Sequence, residues 1–310
     1  MHSKVSQPNA VVLWVVGGIY RVLIDQTEQV DATIRGRLKL QQRTGDRVVA
    51  GDRVVVQRHD DGSFSIEEVA ERTSELARTA PGRGNQRAKI LVANVDQVVV
   101  VVAATHPEPN ARMIDRMLVL AEMNDLPAVI IVNKLDLADR PTVEEFFRPY
   151  RDAGYNVLLT SVREKVCIDD VMERVCGRES VITGPSGVGK SSLLNVLQPD
   201  WKLRTAEVSE VVEKGKHTTV SALLLPLDCG GFVVDTPGIR EVGLFQLEAD
   251  GLDFCFPEFR ELISDCRFGS SCSHTHEPEC AVSSAAHAGS ISMERYQSYC
   301  DLYKEAKENS

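Results

Sequence analysis

The 310-residue sequence lacks any run near the ~18 apolar residues that a membrane-spanning helix requires. Its N-terminal apolar run, Val11–Val16, is shorter than a signal-peptide core, and no small-residue cleavage site follows it. The expectation is a cytoplasmic protein with no membrane partner. Cysteine is sparse for a disulfide scaffold: eight in the whole chain. Cys167, Cys176, Cys229, Cys255 and Cys300 are scattered. Cys266, Cys272 and Cys280 gather near histidines, which in a cytoplasmic chain points to metal before disulfides. Positive charge is also lacking. The net charge of −10 argues against indiscriminate nucleic-acid binding. Residues 1–89 nevertheless carry a net +3, against −6 for 90–245 and −7 for 246–310. A basic surface is therefore expected in the N-terminal part. Internal repeats and low-complexity tracts are absent too.

What is present falls into three stretches. From Val11 to Val69 the pattern is short β-rich runs: Val11–Val15, Ile19–Ile24, Ala32–Leu40, Asp52–Gln57 and Phe64–Val69. Gly17-Gly18, Thr44-Gly45-Asp46 and Asp60-Asp61-Gly62 punctuate them. Five short strands in so few residues fit a small barrel, and an oligonucleotide-binding (OB) barrel is one of that size. Residues 79–89 read as a linker or exposed basic loop. The pattern then alternates. Strands are expected at Gln97–Ala104, Ala128–Val132, Asn156–Thr160, Ser180–Thr183 and Gly231–Val234. Helices are expected at Ala111–Asn124, Val143–Asp152, Ile168–Cys176 and Lys190–Leu197. The Val-rich run at 97–104 has the look of a strand buried on both faces. Such βαβα alternation signifies a parallel sheet wrapped by helices. After about Leu247 the Val-rich strands stop. A smaller third part follows, with the Cys/His cluster and a helical end at Ser292–Lys307.

Three motifs carry nucleotide chemistry. Gly184-Pro185-Ser186-Gly187-Val188-Gly189-Lys190-Ser191 matches the phosphate-binding P-loop, between an expected strand and an expected helix. Its glycines turn backbone N–H groups towards phosphate oxygens, Lys190 reaches the β- and γ-phosphates, and the Ser191 hydroxyl is placed for Mg²⁺. Asp235-Thr236-Pro237-Gly238 ends an expected strand; Asp235 can hold the Mg²⁺ through water, and the Gly238 N–H can sense the γ-phosphate. Asn133-Lys134-Leu135-Asp136 ends another. A carboxylate at Asp136 accepts from guanine N1–H and the 2-amino group, donors that adenine lacks, so it selects GTP over ATP. Asn133 braces that loop, Lys134 can lie along the base, and Thr160-Ser161 can supply a backbone contact to guanine O6. The base motif precedes the phosphate motif, the reverse of ordinary GTPases, which marks a circular permutation. Between P-loop and Asp235 lies Gly215-Lys216-His217-Thr218-Thr219. A threonine there can close over Mg²⁺ as a switch. Ile239 occupies the position where Ras-like enzymes carry a water-orienting glutamine, so His217 is a candidate for that task, or else a surface histidine of the loop.

In the tail, Cys266, Cys272, His274 and Cys280 form a Cys₃His set suited to tetrahedral Zn²⁺, with His276 an alternative fourth ligand.

Together these residues make the chain resemble the RsgA (YjeQ) family of small-subunit-dependent GTPases. The resemblance covers nearly the whole sequence: the barrel at 11–70, N-K-L-D at 133, G-P-S-G-V-G-K-S-S at 184 (through Ser192), G-K-H-T-T at 215, D-T-P-G at 235 and C-S-H-T-H-E-P-E-C at 272. It implies a multidomain chain: an N-terminal OB-type barrel (1–78), a central circularly permuted α/β GTPase domain (79–246) and a mostly helical zinc domain (247–310). It also implies GTP hydrolysis stimulated by the small ribosomal subunit and its rRNA during late maturation. Thr219 would be the switch threonine and Mg²⁺ ligand, and His217 the catalytic residue. Cys266, Cys272, His274 and Cys280 would bind one zinc per chain, and the protein would act as a monomer. Two features depart from the family pattern: five residues, not four, separate the first two cysteines, and no glycine closely follows Thr160-Ser161. Two other readings share some motifs: a permuted GTPase of the large subunit, and an RNA-binding adaptor whose nucleotide is structural.

Overall fold

The computed structural model describes residues 7–35, 47–78, 89–199, 222–235 (Asp235 by its backbone) and 249–308. These fall into two compact units, one comprising Met1–Asp96, Val175–Val181 and Leu197–Ile239, the other Gln97–Arg174, Ile182–Val196 and Arg240–Ser310.

The first unit begins with a closed barrel of order β1-β2-β3-β5-β4, from strands β1 (Ala10–Val16), β2 (Ile19–Ile24), β3 (Glu28–Ile34), β4 (Arg53–Arg58) and β5 (Phe64–Val69). Parallel pairing of β3 with β5 closes it, as in an OB barrel. Gly17 and Gly18 sit at φ +59° and +86°, the conformation a two-residue hairpin turn demands between Val16 and Ile19. Val12, Val22, Val54 and Ile66 are wholly buried in the lumen. β3 starts four residues earlier than the sequence pattern suggests, at polar Glu28, because pairing with β2 rather than its own hydrophobicity sets its start. Next comes a hairpin, β6 (Glu75–Arg78) and β7 (Lys89–Ala93). Its strands flank the stretch expected as a linker. The fully buried Asp52 carboxylate holds the Arg72 guanidinium at 2.7 and 2.9 Å, and Arg72 also meets Glu75 at 3.0 Å.

Later in this unit, the first three residues of β11 (Glu179–Thr183) pair in parallel with β13 (Phe232–Asp235), which pairs antiparallel with β12 (Leu223–Pro226). The turns before β11 and β13 are locked together. Gly177 N–H donates to Gly230 O at 2.9 Å, and Phe232 N–H to Arg178 O at 2.9 Å. A Cβ on Gly231 would lie 2.4 Å from Arg178 backbone atoms, so glycine is required there. Cys176 and Cys229, read from sequence as scattered, form a disulfide across these turns. A 53-residue separation hides that proximity from any sequence pattern.

The second unit holds parallel strands β8 (Gln97–Ala103), β9 (Ala128–Asn133) and β10 (Asn156–Leu159). All seven residues of β8 are buried, the reason its sequence is an unbroken valine run. The helices are α1 (Ala111–Glu122), α2 (Arg140–Asp152), α3 (Ile168–Val175) and α4 (Lys190–Leu197). Asn110 and Asp139 cap α1 and α2 by accepting from Met113 N–H and Thr142 N–H. The tail adds short 3₁₀ turns and helices α5 (Ala281–His287) and α6 (Met293–Glu308). Its apolar core of Phe256, Phe259, Tyr296, Tyr299 and Leu302 includes Val119 of α1. Buried Arg295 on α6 fixes this packing. It bonds Asp115 of α1 at 2.5 Å and Glu258 at 2.7 and 3.0 Å, with its guanidinium 4.6 Å from the Phe256 ring centre.

Candidate guanine-nucleotide site and thiol cluster

Strand ends bring the two nucleotide motifs of the second unit together. β9 delivers Asn133, which is buried, and the chain turns at Lys134 through a left-handed φ of +64°. Asn133 Nδ2 donates to Val188 O in the P-loop at 3.0 Å, while its Oδ1 accepts from Val162 N–H at 3.2 Å. One amide therefore fastens the base loop to the phosphate loop and to the segment after β10. Glycine is obligatory on the other side. A Cβ on Gly189 would meet Asn133 Nδ2 at 2.3 Å, and one on Gly184 would meet Val101 O at 2.0 Å. The P-loop thus owes its tight seat on β8 and β9 to two missing methyl groups.

Asp136 follows in a 3₁₀ turn, Leu135–Leu137, with its side chain 6% exposed. Ser161 Oγ donates to Asp136 Oδ1 at 2.6 Å and accepts from Glu164 N–H at 3.1 Å. The carboxylate is therefore oriented before any base arrives. Thr160 and Ser161 are both buried, and Leu135 N–H donates to Thr160 O at 3.0 Å. Sequence reasoning assigned Thr160-Ser161 a backbone contact and missed the Ser161 hydroxyl as partner of Asp136. The Lys134 ammonium donates to His106 O in the loop after β8, a contact with no sequence signature. Lys190 Nζ donates to Gly184 O and Pro185 O, both at 2.6 Å, curled over its own loop. Ser191 and Ser192 are exposed on the first turn of α4. His217, Thr219, Gly238 and the Asp235 side chain lie outside the described residues.

The tail gathers the second predicted set. The ligand atoms of Cys266, Cys272, His274 and Cys280 all lie within 4.8 Å of one another, and all four residues are buried. His274 Nδ1 is 3.4 Å from the sulfurs of Cys266 and Cys280, which are 3.8 Å apart. A tetrahedron with Zn–S bonds of ~2.3 Å has edges of about 3.8 Å, the length of the Cys266–Cys280 edge, so the donor types and this spacing suit that ion. His276 is not part of the cluster; its ring is exposed beside Glu277. The left-handed backbone of His274, φ +57°, turns its ring inward, and Tyr296 OH holds its carbonyl at 2.9 Å. The other ring nitrogen, Nε2, faces Asp253 Oδ2 at 3.4 Å. A carboxylate behind a histidine fixes ring orientation and tautomer in metal sites. Nothing in the sequence pattern marks Asp253 for this position. Burial pushes the Cys272 thiol up to about 12 and raises that of Cys280. Cys266 is held below the ordinary thiol range although burial opposes it, because Val282 and Ala281 N–H groups donate to its sulfur.

A Gly-rich phosphate loop locked to an Asn-Lys-x-Asp loop, with the base motif first in the chain, defines a circularly permuted P-loop GTPase. The family model for the RsgA GTPase matches residues 69–245. The chain belongs to the RsgA GTPase family. It is 47% identical over 297 residues to the small ribosomal subunit biogenesis GTPase RsgA of Gemmatimonas aurantiaca, covering 95% of this chain and 96% of that one. The Bacillus subtilis RsgA is 35% identical over 306 residues, covering 97% and 98%. The crystal structure of YjeQ from Thermotoga maritima is similar with a TM-score of 0.80 at 35% identity, covering 97% of this chain and 99% of that one. A structure of YloQ, described as a circularly permuted GTPase, gives 0.75 at 30% identity, covering 100% and 98%.

Proposed function

We propose that this protein binds the small ribosomal subunit through its rRNA and couples GTP hydrolysis to late maturation of that particle. The guanine-nucleotide part of the reading is carried by the Asn133 bridge between phosphate loop and base loop, with Ser161 presenting Asp136 to a base, and the small-subunit part by the likeness to the small ribosomal subunit biogenesis GTPase RsgA. Asn133, Lys134, Asp136, Thr160 and Ser161 take the guanine. Residues Gly184 to Ser192 take the phosphates. Ser191 and Thr219 would ligate the Mg²⁺ that accompanies GTP, Asp235 would hold it through water, and the Gly238 N–H would sense the γ-phosphate. Mg²⁺ held by these residues would supply positive charge against the phosphates during transfer of the γ-phosphoryl group. His217 orients the attacking water, a task Ile239 cannot perform. Cys266, Cys272, His274 and Cys280 hold one structural zinc, supported by the edge lengths of the thiol–imidazole cluster. Zinc held there would contribute folding energy to the tail. The OB barrel (1–78), GTPase domain (79–246) and zinc domain (247–310) act in one cytoplasmic monomer.

The test is GTP turnover by the full chain alone, with isolated small subunits and with isolated large subunits. Stimulation by small subunits alone is expected. Equal stimulation by large subunits, or no turnover under any condition, overturns the reading. His217→Ala should keep GTP affinity while losing most of the stimulated rate, because its role arises in the transition state.

A further inference from the structure

Two cysteines outside both sites carry an inference of their own. Cys176 follows α3, Cys229 lies in the β12–β13 turn, and their Cα atoms are 5.4 Å apart. We propose that Cys176 and Cys229 are a reversible thiol-oxidation site, with a low-molecular-weight disulfide as co-reactant, that closes the P-loop segment into a covalent ring while leaving the nucleotide pocket untouched.

Access comes first. Cys229 is exposed and Cys176 half-buried, unlike the three cysteines of the metal cluster, all buried. Dissolved thiols and disulfides can therefore reach the pair. In a reducing compartment such a surface-accessible bond turns over, whereas an enclosed one persists.

Proximity comes second, and it does not depend on the bond. The two turns are held by the Gly177–Gly230 and Phe232–Arg178 hydrogen bonds and by the close seat of Gly231 on Arg178. Reduction leaves these contacts in place, so the sulfurs stay neighbours. The reaction balances as two exchanges. The Cys229 thiolate attacks one sulfur of R–S–S–R, its S–S bond breaks, and one R–S⁻ leaves and takes a proton. The Cys176 thiolate then attacks the Cys229 sulfur of the mixed disulfide and expels the second R–S⁻. Two protein thiols are oxidised and one external disulfide is reduced to two thiols. Backbone-held proximity makes the second step intramolecular and fast relative to capture of another small thiol.

Placement comes third. Cys176 precedes β11 and Cys229 precedes β13, and those strands run parallel. The nucleotide residues follow the opposite ends of the same strands, Gly184 after β11 and Asp235 at the end of β13. β11 alone contributes five residues, about 16 Å of extended chain, between the Cys176 turn and Gly184. The bond therefore closes the chain that carries the P-loop at positions outside the nucleotide motifs. Its effect is on resistance to unfolding, not on nucleotide affinity.

The experiment uses the full, zinc-loaded chain, reduced and then incubated over a series of glutathione to glutathione-disulfide ratios. Free thiols are alkylated and peptides mapped by mass spectrometry, while melting and GDP affinity are measured on the same samples. A cross-linked Cys176–Cys229 peptide should accumulate with glutathione disulfide and vanish with dithiothreitol. Melting temperature should rise by roughly 5 °C on oxidation in the wild type and not in Cys229→Ser. GDP affinity should stay within about twofold throughout. The variant retains every metal-cluster cysteine, so it controls for oxidation there. Three results overturn the proposal: both cysteines alkylated at every ratio, only a glutathione adduct on Cys229, or an oxidation-induced melting shift in Cys229→Ser equal to that of the wild type. A GDP affinity that follows the ratio overturns the separation from the nucleotide pocket.

Discussion

The side-chain amide of Asn133 donates to the carbonyl of Val188 at 3.0 Å, and its oxygen accepts from Val162 N–H at 3.2 Å. Replacing Asn133 by Ala leaves a P-loop carbonyl and a loop N–H without these partners, at about 1–3 kcal/mol each. GTP and GDP affinities should fall together, by roughly tenfold or more, since both nucleotides use both loops. Titration with a fluorescent GDP analogue measures this. Unchanged affinity would mean that the loops hold their places without the bridge.

Asp136 should decide which base is bound. In Asp136→Asn the new amide donates where the carboxylate accepted, which suits the 2-oxo group of xanthine and not the 2-amino group of guanine. The variant should lose GTP and gain xanthosine triphosphate. Ser161→Ala should weaken GTP binding in the same direction but less, because the carboxylate remains and only its orienting hydroxyl is gone. Competition binding with the two triphosphates gives the answer, and a variant Asp136→Asn with wild-type preference for GTP would move the base pocket elsewhere.

Elemental analysis should return one zinc per chain, and Cys272→Ala should abolish it and lower thermal stability. Asp253→Asn is the finer test. It keeps every ligand but weakens the acceptor behind His274 Nε2, so zinc should stay bound at lower affinity, roughly ten- to a hundredfold. Competition with a chromogenic chelator resolves that range. Equal zinc retention by both proteins would reduce Asp253 to a bystander.

A pH effect should trace to Glu179. Burial is the largest influence and pushes its carboxyl up to about 7, against the pull of Arg53 and with Asp96 adding to the rise. The folded value lies above the unfolded 4.5, so the native state binds more protons between the two. The associated stability is fully present below about pH 4.5 and is lost as pH rises through about 7. Glu179→Gln carries no such titration. Between pH 5 and pH 8 the wild type should therefore lose about 2–3 kcal/mol relative to the variant. Urea unfolding of both proteins at the two pH values measures it; a constant difference would place Glu179 among ordinary carboxylates.

Long, uniform patterns were legible in the sequence. β8 reads as buried because six successive positions, Val98–Ala103, are apolar, and β2, β5 and α4 begin and end where their residues suggest. The phosphate and base loops were legible because their chemistry requires fixed residue types at fixed spacing. Contact-dependent features were not. The β6–β7 hairpin has strands of four and five residues flanking a Gly- and Arg-rich stretch, so its local signal is that of a linker. β12 is four residues long and ends in proline. Ser161 and Asp253 become partners of Asp136 and His274 only through folding, and Arg295 reads as a surface helix residue until Asp115 and Glu258 surround it.

The shared core of the tail bears on what can be cut from this chain. Val119 belongs to α1, yet it packs among Phe256, Phe259 and Tyr299. Asp115, also of α1, neutralises Arg295, and Glu305 reaches back to Arg112 and Arg116 at 2.8 and 2.6 Å. The described tail residues 249–308 thus share their apolar core with α1. An excised tail would expose the apolar stripe that meets α1 and would take Arg295 out of its ion cluster. A zinc finger stands free; here the core around the thiol cluster takes Val119 from α1, so a cut ahead of residue 249 would leave that core open on one side.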